Sequence, residues 1–229
     1  MAHLFTREHG ILGAIAKGSK RSKSKTQGAL DLFSQGNVVI SQRNPLGLGT
    51  VTEFRETHIH TGLRKDSRRL YTGLYMLELV SAMLGEADPH RALFDLLQNS
   101  LIRLSQDDAP IGSVLAYFQW RLLRHTGLLT GVEYCAGCGL GVWDFPQDRQ
   151  TYFSSKAGGI LCPSCELGER EKSKLSSDAL SGLCTLAQVE RGLKAQLSAK
   201  QSAGVNRMLA YHICHQVGRK LRMIKHVIE

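Results

Sequence analysis

The chain reads FTREHGILGAIAKGSKRSKSKTQGALDLFS from residue 5 to residue 34: two short apolar runs meet at Gly10 and lead into a cationic stretch rich in glycine and serine. Positions 7–25 hold six basic residues and a single acidic residue, Glu8. The basic residues are Arg7, Lys17, Lys20, Arg21, Lys23 and Lys25. Like charges on such a stretch repel one another and gain little packing, so a polyanion that neutralises them explains the cluster best. The alternative is a solvated loop without a partner.

Length and composition indicate a basic globular protein of 229 residues. Hydrophobic residues make up 42% of the chain and charged residues 21%, which excludes wholesale disorder. The formal net charge of +9 points to nucleic acid or another acidic surface as the partner. No apolar run approaches the ~20 residues of a membrane span, and charged residues near the N-terminus interrupt any signal-peptide pattern. We therefore predict a cytoplasmic protein with no membrane partner.

The pattern of apolar residues changes near residue 62. Before it, short β-favouring runs are separated by Gly, Asn and Pro, and the predicted strands cover residues 4–6, 11–16, 35–42 and 49–59. Short strands with such turns predict a small barrel or sheet. After it, apolar residues recur at helical spacing, and the predicted helices cover residues 70–84, 89–104, 110–125, 176–187 and 203–227.

Signals at the helix ends refine this prediction. Asp88 is expected to cap the second helix, with Pro89 in its first turn. The polar stretch 168–174 is predicted to be a linker. The last helix ends in a cationic group made of Arg219, Lys220, Arg222 and Lys225. These four residues either complement the helix dipole or form a second basic patch for an anionic partner.

The strongest chemical signal is Cys135-Ala-Gly-Cys138 followed by Cys162-Pro-Ser-Cys165. Two such pairs on tight turns can place four sulfurs at a tetrahedral site, which is the arrangement that zinc prefers. A shell of four cysteines leaves no coordination position for water, so the predicted cofactor is one structural Zn²⁺. A small sheet that includes Trp143 and Phe145 is expected between the pairs. It holds too little apolar material to fold unaided, so metal binding would stabilise it.

Other motifs are weaker. The stretch GAIAKGSK at 13–20 lacks the lysine that a phosphate-binding loop needs directly after its second glycine. The pairs His58/His60 and His212/His215 have no carboxylate at metal-site spacing, so they are predicted to be surface or packing residues. No catalytic motif is present, which favours a binding protein over an enzyme.

Taken in order, these segments resemble the bacterial RecO family of recombination mediators. The resemblance is carried by the hairpin and basic loop of residues 5–34, LYTGLYMLELV at 70–80, the four cysteines with FSSKAGGIL at 153–161, and residues 211–227 with GRKLR at 218–222. It implies an α+β fold with an N-terminal OB-fold β-barrel, a helical-bundle domain and an inserted four-cysteine zinc ribbon. The chain starts at what resembles the second strand of the family's barrel, so the expectation is either a start site that is assigned too late or a barrel that lacks its first strand.

The resemblance also implies a domain division and a function. The implied domains are an OB-fold-like domain over 1–62, a helical domain over 63–131 and 169–229, and the zinc module over 132–168. The implied protein is a monomer on its own in the bacterial cytoplasm, associated with the nucleoid. It binds single- and double-stranded DNA, through the six basic residues above, and anneals complementary strands. With RecR, it helps a recombinase load onto DNA coated by single-strand DNA-binding protein.

One further site follows from this role. Arg121 and Arg124 are expected to rim a pocket for the C-terminal tail of single-strand DNA-binding protein, because arginine suits a terminal carboxylate. Two alternatives from other classes stay open at this point. One is a zinc-dependent enzyme or dithiol oxidoreductase, and the other is a structural zinc-ribbon adaptor that binds protein.

Overall fold

The computed structural model of the protein describes residues 1–16, 30–43, 47–146, 150–188 and 196–228. These residues form an N-terminal sheet, a group of helices, a second small sheet and further helices, in that order along the chain. The α+β fold class is therefore confirmed. The division into four domain segments stays a prediction.

The N-terminal sheet has four strands in the described part of the chain. They are β1 (Ala2–Thr6), β2 (Gly10–Ala16), β3 (Ser34–Ser41) and β4 (Gly49–Ile59). Their order is β1-β2-β4-β3, with β2 and β4 parallel and the other neighbours antiparallel. The turn between β1 and β2 needs Gly10, because its φ is +69° and a Cβ there would lie 2.3 Å from the carbonyl oxygen of Asp88. All four predicted strands are present.

The helical part follows the predicted periodicity. Its helices are α1 (Ser67–Met83), α2 (Arg91–Leu104), α3 (Ile111–His125), α4 (Ser177–Gln188), α5 (Ala199–Val217) and the single turn α6 (Ile224–Val227). Asp66 caps α1 by accepting a bond from the backbone N–H of Arg69, and Ser198 forms a capping box with Gln201. No helix in the described ranges is both long and apolar enough to cross a bilayer.

The predicted cap of α2 is wrong. The helix begins at Arg91, and His90 occupies the capping position without a side-chain bond to the backbone. The carboxylate of Asp88 instead lies 3.1 Å from Nε2 of His90. Asp88 is held away from the helix because its backbone packs against the Gly10 turn of the N-terminal sheet.

The predicted last helix is also wrong in its length. Helix α5 ends at Val217 because Gly218 adopts a left-handed conformation with φ +70°, a common way to end a helix. Arg219, Lys220 and Arg222 therefore lie in the turn between α5 and α6. These three residues therefore do not complement the dipole of one long helix.

The second sheet differs from its prediction in composition. Its strands are β5 (Thr151–Ser154), β6 (Gly159–Leu161) and β7 (Ser173–Leu175), in the order β6-β5-β7. Strand β7 comes from the end of the predicted linker, so that prediction is wrong there. Trp143 and Phe145 lie outside the sheet, Trp143 in a 3₁₀ turn and Phe145 directly after it.

One large apolar core joins the helices to the second sheet. Tyr75 of α1, Phe118 of α3 and Phe153 of β5 are fully buried in it. A smaller core inside the N-terminal sheet has only Ala14, Val51 and Phe54 as buried members among the described residues.

Candidate metal centre and nucleic-acid interface

The four cysteines of the two Cys-x-x-Cys pairs lie together in space. Their sulfur atoms are all within 4.8 Å of one another, and Sγ of Cys138 lies 3.7 Å from Sγ of Cys162. A tetrahedron with Zn–S bonds of ~2.3 Å has S···S edges of roughly 3.8 Å. A disulfide would need about 2.05 Å, and all four thiols are free. The cluster therefore has the size of a zinc site with four thiolate ligands.

The backbone around the cluster is arranged to favour thiolate. The N–H groups of Gly137 and Cys162 lie 3.4 and 3.2 Å from Sγ of Cys135. Burial raises the pKa of the Cys135 thiol, but N–H groups including these two outweigh it and lower that pKa to about 6. A thiolate is the form that binds metal. Bonding to the sulfur of Cys138 raises the pKa of Cys165 to about 12, as expected when neighbouring sulfurs share protons.

Glycine at position 137 is a steric requirement of this site. A Cβ there would lie 2.9 Å from Sγ of Cys165, so only glycine lets the first turn approach the second pair. The donor set and its spacing fit a tetrahedral metal ion. These residues would hold the ion without an open position for a substrate.

Glu171 links the second sheet to helix α5. The carboxylate of Glu171 accepts bonds from the backbone N–H groups of Ser155 (2.6 Å) and Lys156 (3.1 Å) and from the hydroxyl of Tyr211 on α5 (3.1 Å). No pattern in the sequence indicated this role of Glu171, since the residue lies in the predicted linker. The contact joins the turn between β5 and β6 to the segment before β7 and to α5.

The histidine pairs behave as packing and surface residues. His212 is fully buried, its Nε2 lies 2.8 Å from the carbonyl oxygen of Leu128, and its ring contacts Phe153. His60 is buried beside the exposed His58, with ring centroids 4.5 Å apart. Burial, and then the neighbouring His58, lowers the pKa of His60 to about 4. The four cysteines form the one candidate metal group among the described residues.

The structure describes only one of the six residues of the predicted basic loop. Arg7 is about half exposed, and its guanidinium pairs with Asp95 at 2.9 and 3.0 Å and with Glu8 at 3.4 Å. Glu8 also pairs with Arg91. The other five residues lie outside the described ranges, and they are Lys17, Lys20, Arg21, Lys23 and Lys25.

The second basic patch has exposed side chains, and part of its backbone is held by a residue of α1. The Glu78 carboxylate on α1 accepts bonds from the N–H groups of Arg222 (2.8 Å) and Met223 (2.9 Å), and Leu221 between the cations is buried. Because the Glu78 carboxylate bonds to backbone N–H groups, it is not seen to neutralise the cationic side chains of the patch. In the described ranges no ion pair involves Arg219, Lys220, Arg222 or Lys225, and all four are exposed. Sequence reasoning missed Glu78, because the contact joins residues far apart in the chain.

Arg121 and Arg124 lie on the last turns of α3, against aromatic rings. The guanidinium carbon of Arg121 is 6.0 Å from the ring centroid of Tyr117, and that of Arg124 is 5.7 Å from that of Trp120. The partner-tail pocket at these residues stays a prediction.

A large cleft lies elsewhere, between the N-terminal sheet and helices α1 and α2. It has a volume of about 1580 Å³ and is lined by strands β1 and β3 and by helical residues such as Leu77, Leu97 and Leu101. Arg121 and Arg124 are not part of its lining. Strands β1 and β3 are the two edges of the sheet as described, so the cleft runs along both edges.

The sequence matches models of one protein family along nearly the whole chain. Residues 1–60 match the family model "Recombination protein O N terminal", and residues 64–223 match "Recombination protein O C terminal". The "DNA repair protein RecO" of Myxococcus xanthus is 31% identical over 224 residues, which cover 96% of this chain and 86% of the relative. The protein of the same name from Symbiobacterium thermophilum is 29% identical over 222 residues, covering 96% and 86%. That from Anaeromyxobacter dehalogenans is 31% identical over 225 residues, covering 95% and 85%.

Proposed function

The chain belongs to the RecO family of recombination proteins, and from this premise we propose that it acts in DNA repair as a mediator without catalytic turnover. It binds single- and double-stranded DNA and anneals complementary strands. With RecR, it helps a recombinase load onto single strands coated by single-strand DNA-binding protein. The observation that carries the proposal is the match of both family models, in order, over residues 1–60 and 64–223. The site of action is the bacterial cytoplasm, at the nucleoid.

The cofactor in this proposal is one structural Zn²⁺ held by Cys135, Cys138, Cys162 and Cys165. The sulfur spacing supports it, as do the N–H groups that stabilise the Cys135 thiolate. When bound, the metal crosslinks the two cysteine turns, and a closed shell supplies no Lewis-acid position for a substrate. This argues against the alternative of a zinc-dependent enzyme.

DNA contact is proposed at two cationic surfaces. One is the basic loop of the N-terminal sheet, and the other is the second basic patch beside α1. The patch is supported by four exposed cations, and Glu78 holds the backbone within it at Arg222 and Met223, which lowers the entropy that is lost when Arg222 binds a phosphate. Each phosphate neutralised on a single strand adds about −0.7 to the slope of log K against log salt concentration.

Arg121 and Arg124 are proposed to hold the terminal carboxylate of the acidic tail of single-strand DNA-binding protein. The positions of their guanidinium carbons, 6.0 and 5.7 Å from the ring centroids of Tyr117 and Trp120, support this, because a cation–π attraction favours one placement of each guanidinium group. The protein acts as a monomer in this role until RecR joins it.

DNA binding can be tested by measuring affinity for a single-stranded oligonucleotide over a range of salt concentrations. The variant Arg222→Gln/Lys225→Gln should weaken binding and make the salt slope shallower by about 1.4, because two phosphate contacts are lost. The matched control is Lys174→Gln/Lys200→Gln, which removes two exposed cations elsewhere. Equal effects of the two pairs would overturn the assignment of the patch, and no salt-dependent binding by the folded chain would overturn the proposed function.

A further inference from the structure

The second basic patch contains a small cavity with apolar surface in its wall. The cavity has a volume of about 520 Å³, and one short stretch of chain lines it: Lys220, Leu221, Arg222, Met223, Lys225 and His226. Leu221 is buried and Met223 is half-buried, whereas the three cations are exposed. One cavity thus brings together cationic side chains and apolar surface.

Helix α1 holds this stretch at two points. The Glu78 carboxylate accepts bonds from the backbone N–H groups of Arg222 at 2.8 Å and Met223 at 2.9 Å. The ring of Tyr71 lies against the ring of His226, with centroids 4.9 Å apart and planes inclined by 30°. Tyr71 and Glu78 are separated by two helical turns, so they lie on one face of α1 roughly 10 Å apart. The stretch therefore runs along α1 between two fixed contacts.

The ring of His226 is an oriented aromatic surface beside the cavity. His226 is exposed, whereas Tyr71 behind it is half-buried on α1. Aromatic pairs prefer a limited set of geometries, so the contact with Tyr71 favours one placement of the His226 ring. A further ring can then stack on His226 with a smaller loss of side-chain freedom than on an isolated histidine.

The charge next to this ring pair is positive. Lys225 directly precedes His226, and both are exposed. Arg68 is also exposed and precedes Tyr71 by about one helical turn, so the two side chains share a face of α1. The acidic residue that contacts the stretch, Glu78, bonds to backbone N–H groups. An anionic ligand is therefore attracted to the place where the ring is exposed.

Single-stranded nucleic acid is the ligand that uses both features. Its phosphates pair with cations, and its unpaired bases stack on aromatic side chains whatever their sequence. A duplex offers the same phosphates, but its bases are already stacked on one another. An acidic peptide would pair with the cations, but it has no base to place on the His226 ring.

We propose that His226, positioned by Tyr71, stacks an unpaired base of single-stranded DNA while Arg222 and Lys225 pair with the neighbouring phosphates. This inference rests on the DNA binding proposed above and adds a substrate preference to it. The second basic patch binds a single strand more tightly than a duplex, because only the single strand supplies a base for stacking.

The test compares two labelled oligonucleotides of equal length, one made of thymidines and one made of abasic sites. They carry the same phosphates and differ only in the bases. Binding to the full-length, zinc-loaded chain is followed by fluorescence anisotropy. His226→Ala should weaken binding of the thymidine oligonucleotide about fivefold or more and leave the abasic one nearly unchanged. The salt slope should stay the same, because no phosphate contact is lost.

Three controls separate stacking from charge and from general damage. His226→Phe keeps an aromatic ring and should retain most of the preference for thymidine over abasic sites. Arg222→Gln/Lys225→Gln should weaken binding of both oligonucleotides. His58→Ala removes another exposed histidine that lies against a ring, at 4.5 Å from that of His60, and should change neither.

The possible results distinguish this inference from the proposed function. Equal effects of His226→Ala on the two oligonucleotides, or a His226→Phe protein as weak as His226→Ala, would overturn the stacking role while DNA binding stands. The same holds if His58→Ala causes an equal loss. If His226→Ala weakens binding only of the acidic tail peptide of single-strand DNA-binding protein, the patch is a peptide site instead. A folded chain that binds neither oligonucleotide would overturn the inference together with the proposed function.

Discussion

The cysteine module (residues 132–168) and the N-terminal sheet are both attached to the helices, but by different means. Phe153 and Ile160 of the module are fully buried in the same core as the helices. From the N-terminal sheet and the segment before β3, Ile11 and Phe33 are buried in that core. The sheet has only a small core of its own. Exposed ion pairs such as Arg7–Asp95 add to its contact with the helical part. The module is thus held by burial and, in our proposal, by metal, while much of the sheet's attachment is polar.

The largest effect should come from breaking the metal site. Cys162→Ser should abolish zinc binding and lower the free energy of unfolding by more than about 5 kcal/mol, because metal binding supplies ~10–16 kcal/mol in isolated zinc fingers. Zinc content by atomic absorption and thermal unfolding check this. Cys214→Ser, which changes a thiol on α5 outside the cluster, is the control. If the Cys162→Ser protein unfolds at the wild-type temperature, the module does not depend on metal.

The next largest loss of stability should come from truncating the aromatic residues by which the module and the N-terminal sheet pack against the helices. Phe153→Ala should lower the free energy of unfolding by about 3–5 kcal/mol, because the ring is fully buried and its removal leaves a cavity in the core. Phe5→Ala should cost about 1–2 kcal/mol, because Phe5 is only partly buried against Phe94. Denaturant unfolding of both variants measures the difference. Equal losses would mean that the sheet is as deeply anchored as the module.

A pH dependence is expected at the junction of β4 with the helices. The pKa of His60 is lowered to about 4 in the folded chain, below the ~6.5 of an unfolded histidine. The unfolded state therefore binds the proton first, and stability that is present above pH ~6.5 falls as the pH drops towards 4. Because one proton is involved, the free energy of unfolding changes by at most ~1.4 kcal/mol per pH unit. In His60→Gln, the free energy of unfolding should vary less with pH over this window. If the variation with pH is unchanged, groups other than His60 cause it.

The smallest effect should come from the ion pair between the sheet and α2. A side-chain hydrogen bond from Arg7, and then its charge, lowers the pKa of Asp95, so the pair stabilises the fold above the unfolded pKa of ~3.9 and is lost below it. Asp95→Asn should change stability only slightly and only at low salt, because both groups are exposed. A large, salt-resistant loss would show that the polar attachment is stronger than this comparison implies.

The sequence predicted features that depend on local spacing. The four strands, the main helices and the closeness of four cysteines follow from alternation, periodicity and two Cys-x-x-Cys turns. Features that depend on distant contacts were missed. The bond of Glu78 to the backbone of Arg222, the role of Glu171 and the strand Ser173–Leu175 all join residues that no local pattern connects. Gly218 was visible in the sequence, but its effect on the helix was not anticipated.

The proposed mediator role is tested most directly by an annealing measurement. Complementary oligonucleotides are coated with the cognate single-strand DNA-binding protein, and the rate of duplex formation is followed with and without the purified, zinc-loaded chain. We predict a rate that rises with the chain and falls back as salt is added, because cationic contacts drive it. A folded chain that leaves the annealing rate unchanged at low salt would contradict the account.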